Sequence, residues 1–234
     1  MNSAIIVAAG QGSRFGGGRP KQFAEILGKP LLIHTVERFE KSRVIDEIVL
    51  VLASGEMREF SDELEEYDIE KVSAVVAGGD SRTESVMNGL SAVRGEESSL
   101  VAIHDGARPV LSQFDLENVL NAAAINGAAC LVAAITDTVK QVADNKISGT
   151  LDRSDLRRAL TPQCFRYEVI QDAFRALGPN ADLTDDSSIA EAAGFDVVAI
   201  EGDPSNIKIT YEQDLAVAEV YLKQLFLREA NDER

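Results

Sequence analysis

Short apolar runs alternate along the first half of the chain with longer segments in which apolar residues recur three or four positions apart. Residues 4–9, an unbroken Ala-Ile-Ile-Val-Ala-Ala, predict a buried strand. Pro30 then stands where a helix can begin, and Leu32, Val36 and Phe39 share one helical face. Residues 47–53 predict a second strand, Met57, Phe60 and Leu64 mark a helix inside the charged segment 56–68, and 72–76 predict a third strand. This β-α-β-α-β succession implies a largely parallel sheet with right-handed crossovers. Its ligand belongs beyond the carboxyl ends of the strands.

The pattern continues with Ser81 and Glu84 in capping-box spacing ahead of Val86, Leu90 and Val93, then a strand at 99–103, a helix at 115–126 and a strand at 128–134. Residues 138–153 change character: alternating positions flank a turn at 143–146, which predicts a β-hairpin too narrow to bury its own apolar side chains. Such an arm, at about 136–156, is expected to pack on a second subunit. After 157–165 a helix is predicted over 167–177. Thr184-Asp185-Asp186-Ser187 caps another, and 197–200 forms a strand. Thr210 and Gln213 make a second capping box before a last helix with Leu215, Ala218, Leu222 and Leu225 on one face.

At 234 residues, with 45% hydrophobic and 26% charged positions, the chain suits one soluble α/β domain spanning 1–234. No stretch approaches the roughly 20 apolar residues of a membrane span, and the first apolar run is too short for a secretory leader. A cytosolic protein, without a second catalytic domain, is expected. Cys130 and Cys164 stand in no metal-ligand spacing and read as small buried residues. A formal net charge of -16 argues against a broad nucleic-acid surface.

Against that acidic background the stretch after the first strand is an inversion. Gly10-Gln11-Gly12-Ser13-Arg14-Phe15-Gly16-Gly17-Gly18-Arg19-Pro20-Lys21-Gln22 carries five glycines and three basic residues, with no carboxylate before Glu25. Glycines let backbone N–H groups approach a polyphosphate, and Arg14, Arg19 and Lys21 bring charge to it. Phe15 stands where a dinucleotide fingerprint needs its third glycine, and no Gly-Lys-Ser/Thr follows to make a Walker loop. The loop reads as an anion site of another kind, or as a solvated glycine loop. Asp105, at the carboxyl end of its strand, suits either a Mg2+ ion shared with phosphates or a turn, and Lys208 between two isoleucines either snorkels or enters a site. Arg82, a cation at a helix start, has no capping rationale.

Taken in order, these motifs resemble the 2-C-methyl-D-erythritol 4-phosphate cytidylyltransferases of the non-mevalonate isoprenoid pathway. The matching parts are Ala8-Ala9-Gly10 through Arg14 with Pro20-Lys21-Gln22, Gly78-Gly79-Asp80 with Arg82 and Ser85, and His104-Asp105-Gly106-Ala107-Arg108-Pro109. Asp137-Thr138, Asp152-Arg153, Leu160-Thr161-Pro162-Gln163, Thr184-Asp185 and Asn206-Ile207-Lys208-Ile209-Thr210 complete the set. The resemblance implies a Rossmann-like nucleotidyltransferase fold, a homodimer clasped through the β-arm, and transfer of CMP from CTP to methylerythritol 4-phosphate.

By position, the resemblance assigns Arg14, Lys21 and Lys208 to catalysis. It gives CTP to Ala8, Ala9, Gly10, Gly12, Gly79, Asp80, Arg82, Ser85 and Asp105, with Asp105 also holding Mg2+ or another divalent cation. The acceptor goes to Arg108 and Thr161 of one subunit and Thr138 and Arg153 of its partner. His104 receives no catalytic role. Rival readings are a ribitol-5-phosphate cytidylyltransferase and a noncatalytic nucleotide-sensing module; the second should have lost a charged group, whereas Arg14, Lys21, Asp105 and Lys208 are all present.

Overall fold

The first apolar run forms β1 (Asn2–Val7), and its alternation assigns each side chain to a layer. Ala4 and Ile6 face one side of the sheet with Phe39, Phe60 and Leu116, whereas Ile5 faces the other with Val86, Ile170 and Ile189. The computed structural model describes residues 1–10, 12, 14–16, 20–95, 99–178 and 183–232. Gln11, Ser13, Gly17, Gly18 and Arg19 of the glycine loop lie outside the described residues, so the anion-binding part expected of Arg19 has no structural counterpart here.

After β1 come a two-stranded ribbon, β2 (Glu25–Ile26) and β3 (Lys29–Pro30), then α1 (Leu31–Glu40), β4 (Glu47–Leu52), α2 (Met57–Leu64), β5 (Val72–Ala77) and α3 (Arg82–Ala92). β6 (Leu100–Asp105), α4 (Gln113–Asn126) and β7 (Ala128–Ala134) follow. The arm is β8 (Lys140–Ala143) and β9 (Lys146–Thr150). The chain closes with β10 (Arg157–Arg166), α5 (Tyr167–Leu177), α6 (Asp186–Ala192), β11 (Val198–Glu201) and α7 (Asp214–Asp232). Among the described residues the main sheet has the order β11-β7-β10-β6-β1-β4-β5. Helices α1, α2 and α4 cover one face and α3, α5 and α6 the other. α7 packs Ala218, Leu222 and Leu225 on Ile26, Leu31 and Ile209 in a third cluster. No helix among the described residues is long and apolar enough to cross a membrane.

The sheet is parallel except for β10, which runs antiparallel between β6 and β7. Sequence pattern assigned no strand to 157–165, because a proline sits in mid-run and a proline cannot donate to a ladder. The pairing with β7 shifts register between Ala159 and Gln163, and this break contains the cis Thr161–Pro162 peptide bond. Two expected caps differ in detail. Ser81 does accept from the Glu84 N–H, but the Glu84 carboxylate returns to the N–H of Asp80 instead of Ser81. The last helix starts at Asp214, whose own carboxylate accepts from the N–H groups of Thr210 and Tyr211, so Thr210 and Gln213 form no capping box.

β1 has β4 and then β5 on one side, and the chain crosses back to place β6 on its other side. A cleft therefore opens beyond the carboxyl ends of β1 and β6, where neighbouring connections leave in opposite directions.

Candidate active site

Two adjoining cavities occupy that cleft. The larger, about 500 Å³, is lined by Ala9, Gly10, Lys21, Gly79, Asp80 and Ser85 among others. The smaller, about 220 Å³, is lined by Arg108, Thr161, Gln163, Thr184 and Asp185 among others. Arg82, Asp105 and Lys208 line both and form the wall between them.

Asp105 is the centre of that wall. Its Oδ2 lies 2.9 Å from Lys208 Nζ and 3.3 Å from Arg108 Nε, and its Oδ1 lies 3.5 Å from Arg82 Nε. Burial alone would raise the carboxyl's pKa; the charges of Lys208, Arg82 and Arg108 outweigh it and hold the group well below the usual carboxylate range. The group is thus an anion at any working pH, and the surplus positive charge around it suits a polyanion.

Lys208 reaches the site because its neighbours do not. Ile209 is buried in the cluster under α7 and its N–H donates to the Ala107 carbonyl at 2.9 Å, which strands the intervening lysine on the opposite side. Asn206 fixes the same segment, donating to the Thr161 carbonyl at 2.8 Å while its own carbonyl accepts from Arg108 Nη1 at 2.8 Å. Lys21 opens a single 3-10 turn, Lys21–Phe23, whose Gln22 side chain is buried and donates to Glu56. Its ammonium donates to the Ile209 carbonyl at 3.3 Å. Burial, then the positive charge of Lys208, lowers the Lys21 pKa, with Arg14 acting in the same direction from its exposed position.

Gly12 adopts a left-handed φ of 60°, which favours glycine, beside the stem of Lys21. Gly78 has a sterner requirement: a Cβ there would lie 2.2 Å from the Ala9 Cβ and 2.9 Å from Ser85 Oγ. Gly78→Ala should therefore push the β5 loop off the β1 loop, reshape the larger cavity and destabilise the fold by about 1–3 kcal/mol, as followed by urea unfolding.

Other assigned groups are engaged within the protein. Ser85 Oγ accepts from the Gly79 N–H and donates to the Ser81 carbonyl. Thr161 Oγ1 accepts from the Asp105 N–H at 3.1 Å and lies 3.0 Å from His104 Nδ1. Burial lowers the His104 pKa to about 4, so the ring is neutral. Its Nε2 lies 3.0 Å from the Arg108 carbonyl, which can only accept; Nε2 carries the proton, and Nδ1 receives the Thr161 hydroxyl. Thr161 thus has no proton left for an acceptor phosphate. Its side chain ties β10 to the Asp105 turn, and its remaining lone pair can receive a sugar hydroxyl.

Thr138 and Arg153 line neither cavity; both are exposed on the arm, where Arg153 donates to the Thr136 carbonyl. Ala8 and Gly12 flank the larger cavity without lining it.

Comparison with known proteins decides the class. The family model for 2-C-methyl-D-erythritol 4-phosphate cytidylyltransferase (IspD) matches residues 2–224. The chain belongs to this family. It is 40% identical to the Clostridium novyi 2-C-methyl-D-erythritol 4-phosphate cytidylyltransferase over 96% of this chain and 97% of that one. Identity to the Geobacillus kaustophilus enzyme of the same description is 42%, covering 94% and 96%. A solved structure of the 4-diphosphocytidyl-2C-methyl-D-erythritol synthase from Anaerococcus prevotii superposes with a TM-score of 0.81 at 32% identity, covering 94% of this chain and 95% of that one. As a cytidylyltransferase, the chain must bring a nucleoside triphosphate and a second phosphate together, and adjoining cavities with a cationic common wall meet that need.

The site also contains groups that sequence reading did not assign. Asp186 receives Arg82 at 2.8 Å, Gln163 donates to Asp185 at 2.7 Å, and Asn206 anchors the Lys208 segment. The signal available for the first two was an acidic pair beside a helix start, which capping explained. Cys130 and Cys164 are buried, and burial pushes the Cys130 thiol up to about 11.

A divalent cation is compatible with the donor set. Mg2+ typically takes one or two carboxylates and completes its shell from water and substrate phosphates. Asp105 supplies one such carboxylate at the cavity wall, and no group of three or more His, Cys, Asp or Glu among the described residues offers an all-protein cage.

Proposed function

We infer that the chain transfers CMP from CTP to 2-C-methyl-D-erythritol 4-phosphate, releasing pyrophosphate, in isoprenoid precursor synthesis. The supporting observation is the wall of Arg82, Asp105 and Lys208 shared by a nucleotide-sized cavity and a smaller one. An acceptor phosphate, already ionised at neutral pH, needs alignment and charge stabilisation rather than a strong base. Its oxygen bonds to the α-phosphorus as the bond to the β-phosphate oxygen breaks, with the electron pair leaving on pyrophosphate.

In this reading Lys21, with Arg14 at the rim, holds the triphosphate and the departing pyrophosphate. Lys208 moves from Asp105 onto the α-phosphate as negative charge concentrates there. The backbone of residues 8–12 surrounds phosphate, Gly79, Asp80 and Ser85 border the base, and Arg108 faces the acceptor phosphate. Asp105 would hold Mg2+, or another divalent cation, which when bound offsets charge on the triphosphate.

The arm supports a homodimer. Val142 is 63% exposed and Ile147 68%, on a ribbon whose tight turn at Asp144 and Asn145, both with positive φ, projects it from the sheet. Thr138 and Arg153 of one protomer would then complete its partner's acceptor cavity. Arg153→Ala should raise the acceptor KM about tenfold while leaving CTP affinity unchanged, the loss expected for one charge-assisted contact; equal weakening of both would undo the trans assignment.

Pyrophosphate release from CTP and Mg2+ tests the whole reading. Release with methylerythritol 4-phosphate alone supports it. Preference for ribitol 5-phosphate would reassign the acceptor, and CTP binding without release on either would favour nucleotide sensing.

A further inference from the structure

Asp186 begins α6 and is fully buried. The cap of that helix is its neighbour Asp185, whose carboxylate accepts from the Ser188 N–H at 3.0 Å and from Ser187 Oγ at 3.0 Å. Asp186 is therefore free of the capping duty that explains acidic residues at such positions. Its Oδ2 accepts from Arg82 Nη2 at 2.8 Å, and its Oδ1 has no hydrogen-bond partner among the described residues. A buried, half-satisfied carboxylate is unfavourable on its own.

Arg82 is equally out of place by local rules. It is the first residue of α3, where the helix dipole disfavours a cation. Burial works against its charge, but Asp186, and behind it Asp105, raise its pKa, and burial pushes the Asp186 carboxyl the other way from full ionisation. Arginine does not surrender its proton, and its guanidinium at 2.8 Å is what favours the charged form of Asp186 against burial. Two locally disfavoured residues from separate helices thus fix one guanidinium, with Asp186 at 2.8 Å on one side and Asp105 Oδ1 at 3.5 Å on the other.

We propose that Asp186 is a positioning residue for CMP transfer: it holds Arg82 back from Asp105, in the wall where the α-phosphate and the acceptor phosphate meet. Without the Asp186 charge the nearest carboxylate left to the guanidinium is Asp105. Arg82 then closes on its Oδ1, tightening the 3.5 Å contact and removing a cation from the acceptor side. The wall loses its place for the incoming phosphate while the base-binding part of the larger cavity stays intact. The proposal rests on the cytidylyltransferase reading above.

The test is a double-mutant cycle of Asp186→Asn and Arg82→Gln, with steady-state pyrophosphate release against methylerythritol 4-phosphate and calorimetric titration of CTP with Mg2+. Asp186→Asn, at a residue that lines neither cavity, should lower kcat/KM for the acceptor about 100-fold and change CTP affinity less than about threefold; Arg82→Gln, in the wall of both cavities, should lower it by a similar factor and weaken CTP binding as well, and the double variant should be no worse than the poorer single. Independent, multiplicative losses with a lowered unfolding midpoint would overturn the proposal in favour of a structural carboxylate. So would wild-type kinetics in Asp186→Asn. Should that variant fail to fold, Arg82→Gln decides alone: an acceptor defect larger than its loss of CTP affinity supports the proposal and normal acceptor kinetics overturn it. Inactivity of the unmodified enzyme toward this acceptor would instead refute the substrate reading, so the two failures are distinguishable.

Discussion

Lys208→Ala and Lys21→Ala are each expected to lower kcat/KM at least about 150-fold, roughly 3 kcal/mol of transition-state stabilisation. The two ammonium groups both line the larger cavity. Lys208 Nζ is 2.9 Å from Asp105 Oδ2, and its charge helps to lower the Lys21 pKa. Three cations converge on the single carboxylate of Asp105 with Lys21 close by, a surplus of positive charge that a triphosphate passing through a pentacoordinate phosphorus offsets most strongly in the transition state. The loss should therefore fall mainly on kcat for Lys208, and on kcat and CTP affinity together for Lys21. Rate measurements at saturating CTP separate the two. Turnover within about threefold of the unmodified enzyme in either variant would show that its side chain does not act on the reacting phosphorus.

Asp105→Asn should have the second large effect, on stability and activity together. It keeps the shape of the side chain and removes the anion against which Arg82, Arg108 and Lys208 converge. Leaving such cations uncompensated in a half-buried wall should destabilise the fold by about 3 kcal/mol, the scale for breaking a buried pair from one side. The same cations hold the folded-state carboxyl below its ordinary value. The stabilisation it provides is therefore fully present above the unfolded pKa of about 4 and is lost as pH falls below that value. The stability difference between Asp105→Asn and the unmodified protein should accordingly shrink on acidification below about pH 4, as followed by urea unfolding. A pH-independent difference would show that the carboxylate is not strongly coupled to its neighbours. Activity should fall at least about 100-fold, since the phosphates lose both the carboxylate that would hold a divalent cation and the balance of the wall.

The parallel part of the fold was legible because each of its strands is an apolar run bounded by glycine or charge. Residues 4–9, 47–53 and 72–76 became β1, β4 and β5 to within two residues at either end. β10 was illegible for the complementary reason. Pro162 interrupts the run, and the strand is held instead by neighbours on both sides, including Gln163 opposite Cys130 and Cys164 opposite Ala102. Local pattern cannot register that support. The arm was legible from alternation and from Asp144-Asn145, a pair suited to a turn with two positive φ values.

For the site, position by resemblance selected Lys21, Arg82, Asp105, Arg108 and Lys208, and the fold gathers them around two adjoining cavities, with Arg82, Asp105 and Lys208 in the wall between. It gave Thr161 to the acceptor, and the fold places Thr161 in the lining of the smaller cavity with its hydroxyl proton directed to His104. It overlooked Asp186, because a carboxylate beside a helix start looks like a cap and only the packing of α6 against Arg82 shows that Asp185 already fills that position.

By itself the sequence determined the parallel strands with the helices between them, the glycine-rich cationic loop and the family, because each depends on residue type and spacing along the chain. Tertiary structure alone decided which charges face one another. Asp105, Arg82, Asp186 and Lys208 come from four separate elements or loops, and the energy of a charge pair depends on distance and burial, neither of which is encoded locally. The same holds for the antiparallel β10, whose place in the sheet was fixed by the edges that β6 and β7 left open to it.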